Sequence, residues 1–363
     1  MAIENHDPVK LQKMAGTVAA LTAYELVLPN LFRQESFDNY VGAQGDTLTF
    51  RVPGTLPGRD YGWRNNRSAP IVWDVYEEST VAVTIGGHAY SGIRLTDEQS
   101  KMDFQGFGRV HAAQTRAVAR TINQKASDCV INAPYEVDIA VNPTSAGGLR
   151  KGILEARRVL NRFGVPQANR ILVAGTDVEN LMLQDDKLVD AQHVGDNIAE
   201  GSLRDAAIGR VYGFTVVVDP NLPGDAAYVF GEDAFIGATA APGVPAGYFG
   251  GSASELGVAM RFLRDYDTDN LRERSVVSTF YGFRATLDAY RYWDAEATPP
   301  KEDHGPRDED DNVEQRFVRG VKLHLDETST DTVADSTYPD ADDSLNLITK
   351  VTPTGWEAPD PGE

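Results

Sequence analysis

Residues 203–222, LRDAAIGRVYGFTVVVDPNL, carry the pattern that decides the fold. Residues 203–208 read as a short helix stopped at Gly209. Val211 and Tyr212 lead into a turn at Gly213, and residues 214–218 read as an apolar strand closed by Asp219-Pro220. Each glycine stands where the chain reverses, and each tolerates a positive φ without a Cβ penalty. The stretch holds no cysteine, no histidine and no serine beside a base, so it offers shape and no reactive group.

Working outward, residues 148–250 have the composition of a compact α/β unit. A helix is expected over 149–163, a strand over 170–174, and a second helix opened by Gly175-Thr176-Asp177 and running to Leu183. Residues 184–202 are polar and read as a loop. Gly237, Gly243, Gly247, Gly250 and Gly251 crowd the following stretch and predict irregular chain there.

Upstream, residues 46–52 alternate like a strand. Residues 53–70, PGTLPGRDYGWRNNRSAP, are a polar tip rich in glycine, proline and charge. Residues 71–85 resume the alternation, with Val81, Val83 and Ile85 on one face and Ala82 and Thr84 on the other. The pattern predicts a long two-stranded ribbon. A lone ribbon is marginal in water, so a neighbouring molecule is expected to cover it. Thr96-Asp97-Glu98 then opens a helical pattern to about Ile131, on which Phe107, Val110, Gln114, Ala117, Val118, Ile122, Ala126 and Val130 recur. Such a helix spans about 50 Å, with Gly106 and Gly108 placed to bend or fray its first turns. Asp7-Pro8 signals an earlier helix start, followed by Leu11, Met14, Val18 and Leu21 at helical spacing, and that helix should end before Pro29. Downstream, residues 256–293 read as two strands around a charged turn, Val258, Met260 and Phe262 alternating in the first and Val276, Ser278 and Phe280 in the second.

The chain of 363 residues carries a net charge of −20, of which residues 294–363 supply −13. An acidic chain repels phosphates, which argues against nucleic-acid affinity. No run of about 18 apolar residues exists to span a membrane, and MAIENHDPVK lacks the basic and apolar regions of a signal peptide. Cys129 is the single cysteine, so no internal disulfide forms, which suits a reducing compartment.

The candidate chemical groups are sparse. Asp265, Asp267 and Asp269 have the spacing of a calcium loop, but Asn270 and Val276 stand where glycine and glutamate are needed, and a solvated strand turn is the favoured reading. The acidic run 308–311 lacks a fixed scaffold. The six histidines show no paired metal spacing. Gly251-Ser252-Ala253 is not a nucleophile elbow, and Gly175 alone is not a dinucleotide fingerprint. The expectation is no catalytic residue, no cofactor and no metal.

The helix–glycine–strand segment, the ribbon followed by a very long helix, and the closing strand pair together resemble the major capsid (coat) proteins of tailed bacteriophages. These have the Hong Kong 97 fold, and the likeness is to the coat proteins of short-tailed phages that use a separate scaffold. The resemblance covers roughly residues 7–293. It implies an α+β fold with an N-terminal arm (1–45), an extended β-hairpin loop (46–96), a spine helix and peripheral domain (97–147), an axial α/β domain (148–250) and peripheral-domain return strands (251–293). An acidic C-terminal extension (294–363) follows. In it, residues 301–312 read as a solvated linker, Phe317, Val321, Leu323 and Leu325 share a strand face broken by Arg319, and Leu345, Leu347 and Val351 offer a second face. A small β element docked on the shell, on its own or a neighbouring subunit, is expected there, with a flexible acidic tail as the alternative.

The resemblance also implies a virion capsid protein, assembled in the host cytoplasm, that self-associates into pentamers and hexamers. These would build an icosahedral shell enclosing double-stranded DNA without sequence-specific binding. It implies a scaffolding protein (no scaffold-like leader precedes residue 7), a portal and a decoration protein as partners, and no membrane. The type member joins subunits by an isopeptide bond between a loop lysine and an asparagine of a neighbour. Here no lysine lies between Lys13 and Lys101. Arginine cannot serve as the nucleophile, so no such crosslink is expected. Arg59, Arg64 and Arg67 at the loop tip would instead pair with carboxylates of an adjacent subunit, with Tyr61 and Trp63 as apolar anchors. The alternatives are an encapsulin-type shell, which is the same fold around an enzyme, and a soluble α/β enzyme or binding module.

Overall fold

The computed structural model describes residues 27–36, 47–52, 59–61, 71, 73, 79–99, 108–145, 147–185, 188, 209–255, 258–289, 291–294, 301–304, 315–327, 333–334 and 352–354. Three α-helices lie among them: α1 (Gly108–Ile131), α2 (Gly148–Arg162) and α3 (Thr176–Gln184). The helix starts expected near residue 8 and the helix expected over 203–208 lie outside the described residues.

A seven-stranded sheet runs in spatial order β20 (Val333–Ala334), β6 (Asp138–Val141), β19 (Gly320–Leu325), β10 (Ala226–Gly231), β7 (Arg170–Ala174), β9 (Phe214–Val218) and β8 (Arg210–Val211). Its central strands are unbroken apolar runs because they are buried on both faces. Leu172, Ala174, Ala227, Val229, Val321 and Leu323 meet α2 and α3 on one side. Ile171, Val173, Tyr228 and Phe230 meet Ala126 and Val130 near the C-terminal end of α1 on the other. The β8–β9 connection is a two-residue hairpin loop in which Tyr212 (φ 49°) and Gly213 (φ 90°) both take left-handed conformations. That geometry matches the twist of the strands it joins. The strands at 170–174 and 214–218 and the two helices stand where the sequence puts them.

A second sheet has six strands: β1 (Arg33–Ser36), β11 (Phe235–Ala240), β14 (Arg272–Ala285), β13 (Val258–Asp267) and β12 (Phe249–Glu255), with β5 (Gly87–Thr96) paired to β14. β14 is its axis. It pairs β13 up to Ser278 and β11 from Phe280 onward, and the Thr279 hydroxyl between them donates to the Ala259 carbonyl at 2.5 Å. Val118, Ala119 and Ile122 of α1 pack on one face of this sheet against Ala89, Met260, Phe262 and Val277. Gln114 crosses the same boundary, its amide nitrogen donating to the carbonyls of Ser91 (3.1 Å) and Ser275 (3.0 Å).

Short pairs complete the description. β2 (Thr47–Val52) pairs β4 (Ser79–Thr84), and β3 (Arg59–Tyr61) pairs β21 (Thr352–Thr354) in parallel. β15 (Asp288–Ala289) pairs β18 (Gln315–Arg316), and β16 (Arg291–Asp294) pairs β17 (Lys301–His304).

Several expectations are corrected. The glycine-rich stretch after Gly237 is not irregular throughout: β11 and β12 run into it, leaving only residues 241–248 between them. Gly237 packs closely, since a Cβ there would sit 3.1 Å from the Phe283 ring. The helical signal at Thr96 is present over residues 97–99, and residues 100–107 lie outside the described residues. Thr96 and Gln99 form a reciprocal pair of backbone–side-chain bonds at 3.3 and 3.4 Å, closing a turn after β5, and the described long helix begins at Gly108. Its 24 residues span about 36 Å. Ala117 faces solvent and Ala119 takes its place in the core. Of the strand expected over 71–85, residues 79–84 form β4, and Ile71 and Trp73 are exposed and outside any strand, while residues 72 and 74–78 lie outside the described residues. Part of the expected linker, Lys301–His304, is a paired strand. The expected β element is β19, and it lies between β10 and β6 of its own chain. Val321 and Leu323 are buried there, and Arg319, which breaks their pattern, forms a two-pronged pair with Asp288 at 2.7 and 2.6 Å. The strand face expected around Leu345 lies outside the described residues.

The seven-stranded sheet and α1 meet at Asp219, which is fully buried directly after β9. Its carboxylate accepts from Ser127 Oγ (2.9 Å), Asn123 Nδ2 (3.2 Å), Asn221 Nδ2 (2.8 Å) and the Asn221 amide (3.0 Å). Asn123 Oδ1 in turn accepts the amides of Val27 and Leu28. Removing the carboxylate strands several buried donors at once. Asp219→Ala is expected to lower unfolding free energy by about 3 kcal/mol, read as a fall in the urea midpoint of the unassembled subunit. Asp128→Ala, which removes a half-exposed pair with Lys125 on the same helix, should move that midpoint far less.

Candidate assembly interface

β2 and β4 pair from Thr47↔Thr84 to Val52↔Ser79, and the chain passes from β4 through Ile85 and Gly86 into β5. The ribbon therefore grows from the six-stranded sheet, and its base is pinned. Val83 is fully buried. Arg284 donates from its guanidinium to the Ala82 carbonyl at 2.6 Å. A Cβ at Gly282 would stand 2.6 Å from the Thr84 carbonyl oxygen, so only glycine admits the crossing strand. A Cβ at Gly87 would fall 2.1 Å from the Tyr281 ring. No motif marks these residues in the sequence. The one available signal is a glycine, Gly282, set inside an otherwise bulky strand.

Of the loop-tip residues expected to make contacts, Arg59 and Tyr61 fall in β3 and their backbones pair with Thr352–Thr354. Trp63, Arg64 and Arg67 lie outside the described residues.

The other candidate groups are engaged elsewhere. Asp265 pairs with Arg274, while Asp267 accepts from Asn270 Nδ2 (3.1 Å) and the Asp269 amide (3.2 Å), which closes the β13–β14 turn. The bond from Asn270 is the main reason the Asp267 carboxyl titrates below its usual range. The strand–turn–helix at Gly175 is closed by its own chain: the Gly224 carbonyl accepts the Asp177 and Val178 amides, at 3.0 and 3.2 Å, that a phosphate would use. Burial pushes the Cys129 thiol up to about 12, the opposite of an activated nucleophile. Burial likewise lowers the His111 imidazole, which lies edge-on to Phe262 at 4.6 Å between centroids. Among the described residues no three His, Cys, Asp or Glu side chains gather as a metal set, and no helix is long and apolar enough to cross a membrane.

A model of the phage capsid protein family matches residues 88–293, from β5 to β16. The chain belongs to the phage capsid protein family. Solved structures agree on the fold. The capsid of Cyanophage P-SCSP1u has a TM-score of 0.54 at 11% identity, covering 84% of this chain and 89% of that one. Mycobacterium phage Che8 gives 0.53 at 16% identity, covering 82% and 90%. The mature capsid of bacteriophage PhiM1 gives 0.51 at 13% identity, covering 83% and 87%. No curated protein matches the chain by sequence. The phage capsid protein thus has the Hong Kong 97 α+β fold, α1 is its spine helix, and its place is the virion shell.

The ribbon base yields a direct test. Gly282→Val places a branched side chain against the Thr84 backbone and should displace the ribbon at a cost of about 1–3 kcal/mol. Limited proteolysis should then cut within residues 46–78 at least severalfold faster, with cleavage in α1 unchanged.

Proposed function

We propose that this phage capsid protein is the major shell subunit of a tailed phage, forming pentamers and hexamers that close into an icosahedral shell around double-stranded DNA. The observation that carries the reading is the pinned ribbon. A two-stranded ribbon is marginal by itself, and this one is clamped at its base by Gly282, Arg284 and the buried Val83. A surface on an adjacent subunit completes it.

In this reading residues 1–45 are the arm, 46–96 the extended loop, 97–147 the spine helix and peripheral domain, 148–250 the axial domain, 251–293 the return strands and 294–363 the acidic extension. Arg59, Arg64 and Arg67 pair with carboxylates across the subunit boundary, and Tyr61 and Trp63 anchor the contact. The loop has no lysine, so the shell holds without an isopeptide bond, through many weak contacts repeated by symmetry. Net charge −20 keeps the wall from adhering to packaged DNA. A scaffolding protein, a portal and a decoration protein are the partners this architecture calls for.

Electron microscopy of the protein, expressed with and without its genomic neighbours, is expected to show closed shells built of five- and sixfold capsomers. Boiled in detergent, those shells should run as a single band near 39.6 kDa. Uniform small particles in every condition would overturn the shell reading, and a ladder of covalent oligomers would overturn the absence of crosslinks. Trp63→Ala should cut particle yield about tenfold while the subunit's melting temperature stays in place.

A further inference from the structure

The two ends of the seven-stranded sheet carry opposite charge. At one end α2 finishes at Arg162, β7 starts at Arg170 and the β8–β9 hairpin turns at Tyr212 and Gly213. Arg157 reaches the hairpin from α2 and donates to the Tyr212 carbonyl at 2.9 Å. Arg170 is buried and donates to the carbonyls of Val165 (2.5 Å) and Pro166 (2.9 Å). Burial, followed by repulsion from Arg157, holds the Arg170 guanidinium below its usual range. Arg162 and Arg210 are exposed at the same end. None of Arg157, Arg170 and Arg210 has an ion-pair partner among the described residues. The acids nearby are engaged elsewhere: Glu232 accepts from Asn169 Nδ2 at 2.6 Å, and Asp233 lies close to Arg319. Like charges held together without a counter-charge repel one another, and a carboxylate from another molecule would relieve them.

The other end is acidic. There Asp177 stands in the first turn of α3, Asp225 immediately precedes β10 and Glu327 follows β19. Backbone bonds gather the three, the Gly224 carbonyl accepting the Asp177 amide at 3.0 Å and the Asp225 carbonyl accepting the Leu325 amide at 2.8 Å. All three are exposed, and none has an ion-pair partner among the described residues. Glu179 and Asp326 add to them. Two cations stand here, Arg150, which pairs with Asp185 at 3.2 Å, and Lys151, so carboxylates are in excess. Strand register sets the distance between the two ends. Arg210 lies opposite Thr215, and Thr215 opposite Ile171, three residues before the end of β7. That is about 10 Å along the sheet, and β8 and β10 stand three strands apart, about 14 Å across it. One copy cannot bring its own two ends together, whereas two copies can. A contact between two different patches is heterologous, and it closes into a ring where the rotation allows.

We propose that the basic end of one copy docks on the acidic end of the next, with Arg157 and Arg210 facing Asp177, Asp225 and Glu327 of a second copy of this chain. The docking rests on the shell reading above and names the charges that join neighbours within a capsomer. Each exposed pair is weak, and the ring repeats it at every boundary.

The test uses the full chain carrying Arg210→Lys, which keeps the charge and supplies an amine. Assembled particles are treated with a carbodiimide, which joins an amine to a carboxylate in direct contact, and the links are mapped by mass spectrometry. The expected link joins position 210 to Asp177, Asp225 or Glu327. The separation of the two ends within one copy makes such a link intermolecular, so the treated sample should run as a ladder in denaturing gels. Charge reversal is the second arm. Arg210→Glu should lower the yield of capsomers and shells about tenfold with the subunit's melting temperature unchanged, and adding Asp177→Lys and Asp225→Lys should restore the yield. Shells in which position 210 links elsewhere or not at all, a yield indifferent to Arg210→Glu, or a loss that the second reversal leaves in place would overturn this docking and leave the shell reading standing. A protein that forms no particle in any condition would overturn both.

Discussion

The hydrogen-bonded knot around Asp219 is the constraint on which the arrangement of the molecule depends. A buried carboxylate is tolerable only when donors replace the water it has lost. Here they come from α1 through Asn123 and Ser127 and from the turn after β9 through Asn221. Asn123 works at both ends, giving to Asp219 and taking two amides from Val27 and Leu28. One helix side chain thereby fixes the spine helix, the seven-stranded sheet and the segment that leads out of the N-terminal region. Hydrogen bonds are directional where apolar contacts are not, so this joint sets angles as well as distances.

Aromatic packing fills the space beside the knot. Phe235, at the start of β11 in one sheet, touches Phe230 of the other at 5.0 Å between centroids, Phe32 at 5.1 Å and Phe317 at 5.4 Å. Phe317 lies three residues before β19, so a segment arriving from beyond residue 300 closes the same core that the early Leu28 and Phe32 enter. The subunit is in this sense stitched from distant parts of its sequence. That suits a shell component, which carries load through its body between contacts at its extremities.

The legible parts of the fold were those set by local chemistry. Arg170–Ala174 and Phe214–Val218 are apolar runs bounded by turn residues, and α2 and α3 follow from spacing and from the Gly175-Thr176-Asp177 start. The parts set by tertiary context were not legible. Gly237 and Gly250 look like breakers, but in β11 and β12 the missing side chain makes room for Phe283 and Leu263. Arg319 looks like an interruption because its partner, Asp288, lies 31 residues away. β19 sits in an acidic tail, and only its partners β10 and β6 reveal it as a core strand. The ribbon was legible from its alternation, whereas its clamp was not, because a glycine and an arginine acquire their roles only when the crossing strand meets them.

The clamp and the absent lysine belong to one argument. A covalent bond tolerates a loop that wanders, since a single capture event is permanent. A loop held by non-covalent contacts would have no such reserve, since each contact loses side-chain and backbone entropy on docking. Fixing the base beforehand reduces that loss for every subunit in the shell. Val83 buried, Arg284 on the Ala82 carbonyl and Gly282 under Thr84 do this with no reactive group at all. A loop that arrives already aimed needs only modest affinity at its tip.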